Sequence, residues 1–83
     1  MDDNIYEVVS PLMGIFYRTT APGKPPLVEV GKKVSASDIA CVIESMKVFT
    51  ELRCEYSGIV KEILVENEEP VMKKQALIVI EKQ

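Results

Sequence analysis

The sequence predicts an all-β domain, and three observations carry that prediction. The apolar residues come in short runs rich in Val and Ile, with turn residues between them. Prolines at 11, 22, 25, 26 and 70 interrupt most windows long enough for three helical turns. The two halves of the chain also repeat one another. With 83 residues there is material for one small domain, near the lower size at which a single hydrophobic core suffices.

Taken in order, the strand-like runs are IYEVV (5–9), GIFY (14–17), LVEV (27–30), IACVI (39–43), GIVKEILV (58–65) and ALIVI (76–80). Strand-like residues also resume at Val48-Phe49-Thr50. The one helix candidate, Glu66 to Glu69, is cut by Pro70 and has no apolar stripe. A shift of 37 positions lays Val28-Glu29 on Val65-Glu66, Val34 on Val71, and Val42-Ile43-Glu44 on Val79-Ile80-Glu81. Upstream, Gly14-Ile15 meets Gly58-Ile59 at a shift of 44, so the first half carries seven extra residues between Gly14 and Val28. That interval holds TTAPGKPP (19–26), the most Pro- and Gly-rich stretch, expected as a loop projecting from the strands. Neither copy could bury its apolar face alone. The expected architecture is a flattened barrel or sandwich of two small antiparallel sheets, related by a pseudo-twofold, each half giving strands to both.

Composition narrows the function. The chain is 47% apolar and 28% charged, with a net charge of −3 and no Lys/Arg cluster, which argues against a nucleic-acid partner. Its longest apolar runs are far too short to span a bilayer, and the acidic MDDNIYE opening is unlike a secretion signal. No membrane partner is therefore expected. Histidine is absent, which removes His-based nucleophile systems and the commonest zinc ligand. The four glycines lie far apart and form no phosphate-binding loop. No catalytic residue and no metal site are expected. Cys41 and Cys54 are too few for a disulfide framework and read as buried, reduced thiols. If Met46-Lys47 turn the chain, position 41 pairs with 52 and Cys54 becomes its diagonal neighbour.

The junction of the halves carries ESMKV (44–48), with apolar residues on both sides. The simplest connection is a two-residue hairpin with Met46 and Lys47 at its centre and the lysine at the tip. Such turns prefer Asn-Gly, because both central residues need positive φ, and Met-Lys there costs about 1–2 kcal/mol per left-handed residue. Residues 44–49 form the expected hairpin. On spacing alone, an ordinary solvated lysine fits as well as a functional one.

ESMKV resembles the Glu-Ala-Met-Lys-Met signature of biotin carboxyl carrier domains, whose lysine holds biotin in amide linkage. The resemblance runs through SPLMGIFYRTTAPGKPPLVEVGKKV, CVIESMKV and SGIVKEILVENEEPV, roughly residues 8 to 82, leaving 1–7 as an N-terminal flank. It points to the carrier subunit of acetyl-CoA carboxylase of the bacterial and plastid kind. The resemblance implies covalent biotin on Lys47, with Met46, Val48 and Glu44 recognised by a ligase or partner. It makes 19–26 the family's protruding thumb, with Tyr17, Thr20 and Pro22 near the biotin and Lys24 solvated. It further implies a non-catalytic, monomeric carrier served by biotin protein ligase, biotin carboxylase and carboxyltransferase, in the cytoplasm or plastid stroma. Ser45 and Val48 depart from the signature, and Ser37 and Glu68 stand where glycine is common. The family's long N-terminal region with an Ala/Pro-rich linker is not in these 83 residues, as in an excised domain or a short form. A lipoyl domain, an unmodified regulatory homologue and carriers serving other acyl-CoA, pyruvate or urea carboxylases are the alternatives. Lipoyl domains typically show Asp-Lys-Ala at the tip, and regulatory homologues generally lack the lysine.

Overall fold

The computed structural model describes residues 4–21 and 23–83, which carry eight strands. These are β1 (Ile5–Val9), β2 (Gly14–Tyr17), β3 (Lys33–Val34), β4 (Ile39–Ser45), β5 (Val48–Arg53), β6 (Gly58–Ile63), β7 (Pro70–Val71) and β8 (Ala76–Lys82). They form two antiparallel four-stranded sheets, ordered β1-β8-β6-β3 and β5-β4-β2-β7. The all-β prediction holds. Replacing β1 to β4 by β5 to β8 turns one strand order into the other, so each half places two strands in each sheet. Residues 5–7, expected to flank the domain, are paired within β1: Ile5 faces Glu81 and Glu7 faces Val79.

The pseudo-twofold extends to single hydrogen bonds. Ser37 N–H donates to Cys54 O and Lys74 N–H to Ser10 O, at 2.8 and 2.6 Å. Ser35 N–H meets the Asp38 carboxylate and Met72 N–H the Gln75 amide oxygen, both at 2.9 Å. Positive φ recurs at matched positions, Gly31 with Glu68 and Ser37 with Lys74. The glycines Gly14 and Gly58 answer the same steric demand. A Cβ on Gly14 would run into Glu44 O and the Ile43 side chain, and one on Gly58 into Glu81 O and the Ile80 side chain.

Between the sheets lie Phe16, Val34, Cys41, Ile43, Val60, Leu77, Ile78 and Ile80, all buried. Both cysteines are buried and free, and Cys41 faces Leu52 across the β4–β5 ladder as expected. One strand expectation fails. Leu27–Val30 is loop, and β6 ends at Ile63, short of Leu64-Val65. Val28 and Val65 are nonetheless buried, plugging the core from loops rather than pairing in a ladder. Their Val-rich runs signal burial, which the sequence alone does not distinguish from extended pairing. The two-residue strands β3 and β7 are too short to leave a pattern.

The hairpin and the first and last described residues, Asn4 and Gln83, occupy opposite ends. Lys82 N–H donates to Asn4 O and Gln83 N–H to Ser57 O, closing one end. Gly58 pairs with both Lys82 and Val34, so β3 finishes at that end, and the 35–38 turn starts β4 there. From Ile39 to Ser45, β4 runs about 20 Å at ~3.3 Å per residue to the other end.

Candidate functional site

The β4–β5 connection is the two-residue hairpin that the sequence predicts. Ser45 pairs with Val48, leaving Met46 and Lys47 as the central residues, with φ of 52° and 66°. Positive φ at both is the requirement of a type I′ turn. The chain holds two left-handed non-glycine residues at its apex, and the six pairs of the β4–β5 ladder keep them there.

Among the described residues the Lys47 ammonium has no ion pair or hydrogen bond, and it stands exposed. Met46 is 92% exposed and Val48 63%. An unpartnered primary amine on a fixed apex is chemically fit for acylation from outside, since nothing in the fold competes for its nitrogen.

Glu44 and Tyr17 come together one step below the apex. Ile15 pairs with Glu44 and Tyr17 with Val42, which puts Tyr17 diagonally across from Glu44 on the outer face of the sheet. The Tyr17 hydroxyl donates to Glu44 Oε1 at 3.0 Å. That bond to a carboxylate, with some desolvation added, raises the phenol above its usual range. Phe49, opposite Glu44, tilts against Tyr17 with ring centroids 6.3 Å apart.

The 19–26 loop comes over this face at its described residues Thr19, Thr20 and Ala21. Its base is closed by Leu27 N–H donating to Arg18 O at 2.7 Å, and by Arg18 N–H donating to Asn67 Oδ1 at 2.8 Å. Between loop and sheet lies a groove of about 420 Å³, lined by Tyr17, Thr19, Thr20, Val42 and Phe49 among others. Thr20 thus reaches the groove; Lys24 is exposed. Pro22 lies outside the described residues. The sequence reading missed Phe49, Val42 and Asn67. Phe49 was within reach, because alternation along VFTELR puts Phe49, Glu51 and Arg53 on one face. Asn67, 49 residues from Arg18, left no local signal.

Comparisons with known proteins bear on the family. The family model Biotin_lipoyl, described as "Biotin-requiring enzyme", matches residues 6–80. The chain belongs to this family. A biotin carboxyl carrier protein of acetyl-CoA carboxylase from Nostoc sp. is 45% identical over 78 residues, covering 94% of this chain and 43% of that protein. One from Pseudomonas aeruginosa is 44% identical over 73 residues, covering 88% and 47%. A chloroplastic one from Arabidopsis thaliana is 46% identical over 71 residues, covering 86% and 28%. The chain therefore spans less than half the length of these relatives. Kluyveromyces lactis urea carboxylase contains a similar fold, with a TM-score of 0.76 at 29% identity, over 96% of this chain and 6% of that one. A single-chain long-chain acyl-CoA carboxylase reaches 0.83 at 17% identity, over 100% and 8%, a likeness of fold alone. No helix among the described residues is long and apolar enough to cross a membrane.

Proposed function

We propose that this chain is the biotin-bearing domain of an acetyl-CoA carboxylase carrier subunit of the bacterial and plastid kind, with Lys47 Nζ in amide linkage to biotin. The observation that carries the reading is the placement of an unpartnered lysine on a strained apex, at the end opposite the termini. The termini can then be tethered while the lysine is presented to enzymes. Relatives named as acetyl-CoA carboxylase carriers support the choice of carboxylase. The domain covers residues 5–82, the expected start at 8 being moved back by the pairing of β1, with 19–26 as its thumb and 44–49 as its attachment hairpin.

Biotin, once bound, supplies the nitrogen that carries the carboxyl group. Everything the chain contributes is positional. Lys47 forms the amide when its neutral amine attacks an activated biotin carboxyl carbon, releasing the activating group and a proton to the ligase. The hairpin fixes where the tether begins, and lysine plus biotin gives a reach of roughly 15 Å. Tethering holds the cofactor at roughly millimolar effective concentration near each partner site. Met46, Val48 and Glu44 are the recognition residues beside the lysine. Tyr17 and Thr20 belong to the groove facing the cofactor, and Pro22 is assigned to the thumb by its place in the sequence alone.

The chain is a non-catalytic, monomeric carrier in the cytoplasm, or in the stroma of a plastid. A biotin protein ligase loads it, biotin carboxylase charges it, and a carboxyltransferase discharges it onto acetyl-CoA to form malonyl-CoA for fatty acid synthesis. The likeness to urea carboxylase favours one second reading, the same carrier chemistry with a different acceptor. The test is intact mass after incubation with biotin ligase, biotin and ATP, followed by reconstitution with both carboxylase enzymes. One biotinyl adduct, lost in Lys47→Arg along with carboxylase activity, is the expected result. A lipoyl adduct on the chain, or an active Lys47→Arg, overturns the proposal.

A further inference from the structure

The pseudo-twofold supplies an internal control for the lysine end of the molecule. The pairings Ile15 with Glu44 and Gly14 with Val71 place Met13 one step beyond the ladders, level with Met46 on one side and Met72 on the other. Met13 and Met72 continue the outward parity of Ile15 and Pro70 just past their strands, while Met46 stands in the hairpin turn itself, with φ of 52°. Met13, Met46 and Met72 are 61%, 92% and 60% exposed. The row crosses three strands and is about 10 Å long at ~4.8 Å per strand. Two of its members lie more than 20 residues from Lys47 in sequence, so no reading of the ESMKV stretch contains them.

The repeat-related positions at the other end are Ser57, Ser35 and Gln83. There the convergence is visible in hydrogen bonds, Gln83 N–H to Ser57 O at 3.0 Å and Ala36 N–H to Ser57 Oγ at 3.2 Å. The same backbone arrangement therefore takes polar residues at the end with the termini and methionine three times at the end with the lysine. Folding does not require apolar side chains there. Exposed, flexible thioethers adapt to a partner surface and gain from being covered.

Reach decides which partner covers them. Unmodified Lys47 extends only about 6 Å from its Cα, so an enzyme that acylates it must bring its own surface down onto the apex. After acylation the tether reaches roughly 15 Å, and later partners can act from a distance. We infer that Met13, Met46 and Met72 form the contact surface for the enzyme that acylates Lys47, with Met13 and Met72 as specificity residues outside the signature stretch. This rests on the carrier reading given above. The occupant is an apolar collar around the mouth of a biotin ligase active site.

The test is steady-state biotinylation of the 83-residue chain by biotin ligase, with Met13→Gln, Met72→Gln and the double variant. Val30→Gln, at an equally exposed apolar residue whose neighbour Gly31 donates its N–H to Val60 O of the other sheet, is the control. The double variant is expected to raise KM for the chain at least fivefold with kcat within twofold, each single variant to contribute, and the control to match wild type. Thermal midpoints should agree across the set, because each side chain is already exposed. An unchanged KM in a folded double variant, with Lys47→Arg still blocking the reaction, overturns the inference and leaves the carrier reading standing. Wild type that takes no biotin overturns both.

Discussion

Glu68 offers a quantitative test, because the molecule contains its own template. Glu68 and Gly31 occupy repeat-related turns, with φ of 69° and 91°. Each donates its backbone N–H to the equivalent carbonyl, Glu68 to Phe16 at 2.7 Å and Gly31 to Val60 at 2.8 Å. One copy uses glycine, and the other holds a glutamate in the left-handed region at a cost of about 1–2 kcal/mol. The Glu68 side chain makes no hydrogen bond or ion pair among the described residues, so little is lost with it. Glycine in exchange costs about 0.5–1 kcal/mol of unfolded-state entropy. Glu68→Gly is therefore expected to stabilise the domain by about 0.5–1 kcal/mol, or about 2–8 °C in Tm for a domain of this size. Urea unfolding should show a higher midpoint with an unchanged m-value. Gly31→Ala, where a Cβ would meet nothing within 4 Å, isolates the reverse backbone effect and should destabilise by a similar amount. A Glu68→Gly protein less stable than wild type, with Gly31→Ala neutral, would refute the reasoning.

Gly14→Ala and Gly58→Ala should each cost at least about 2–3 kcal/mol in urea unfolding, because the added Cβ meets a backbone carbonyl and an isoleucine methyl 2.9 Å away. A loss under 0.5 kcal/mol at either site would mean that the sheets yield there. Tyr17 is raised by its bond to Glu44, so Glu44→Gln should lower its titration toward 10 in a tyrosinate absorbance curve, and an identical curve counts against the bond. The Cys41 thiol is pushed up to about 12 by burial, from 9.0 when unfolded. The unfolded chain loses that proton first, so the associated stability is complete below pH 9 and drains away as pH rises toward 12. Burial raises Cys54 and Tyr6 as well, with the same sign. Urea midpoints should fall between pH 8 and 10.5, and Cys41→Ala should flatten that slope; a slope unchanged in the variant removes Cys41 as its source.

Much of this molecule was open to a reader of the chain alone. Apolar runs that end at Ile43 and resume at Val48 leave only Glu44 to Lys47 for the connection, which favours a short hairpin centred on Met46-Lys47. The internal repeat announced two sheets, because a half-domain with one apolar face must find its equal. The seven-residue excess in the first half located the projecting loop. Residues 27–30 misled, since valine's preference for strands is largely a preference for burial, and Val28 is buried from a loop.

What tertiary structure decided is who meets whom across long sequence separations. Tyr17 reaches Glu44, Asn67 steadies the loop at Arg18, and Met13 and Met72 flank Met46 only because strands far apart in sequence lie side by side with a particular register. A chain's local pattern records which way each side chain faces and how far each run extends. Register and strand order follow from packing two faces against each other, and that choice belongs to the whole domain.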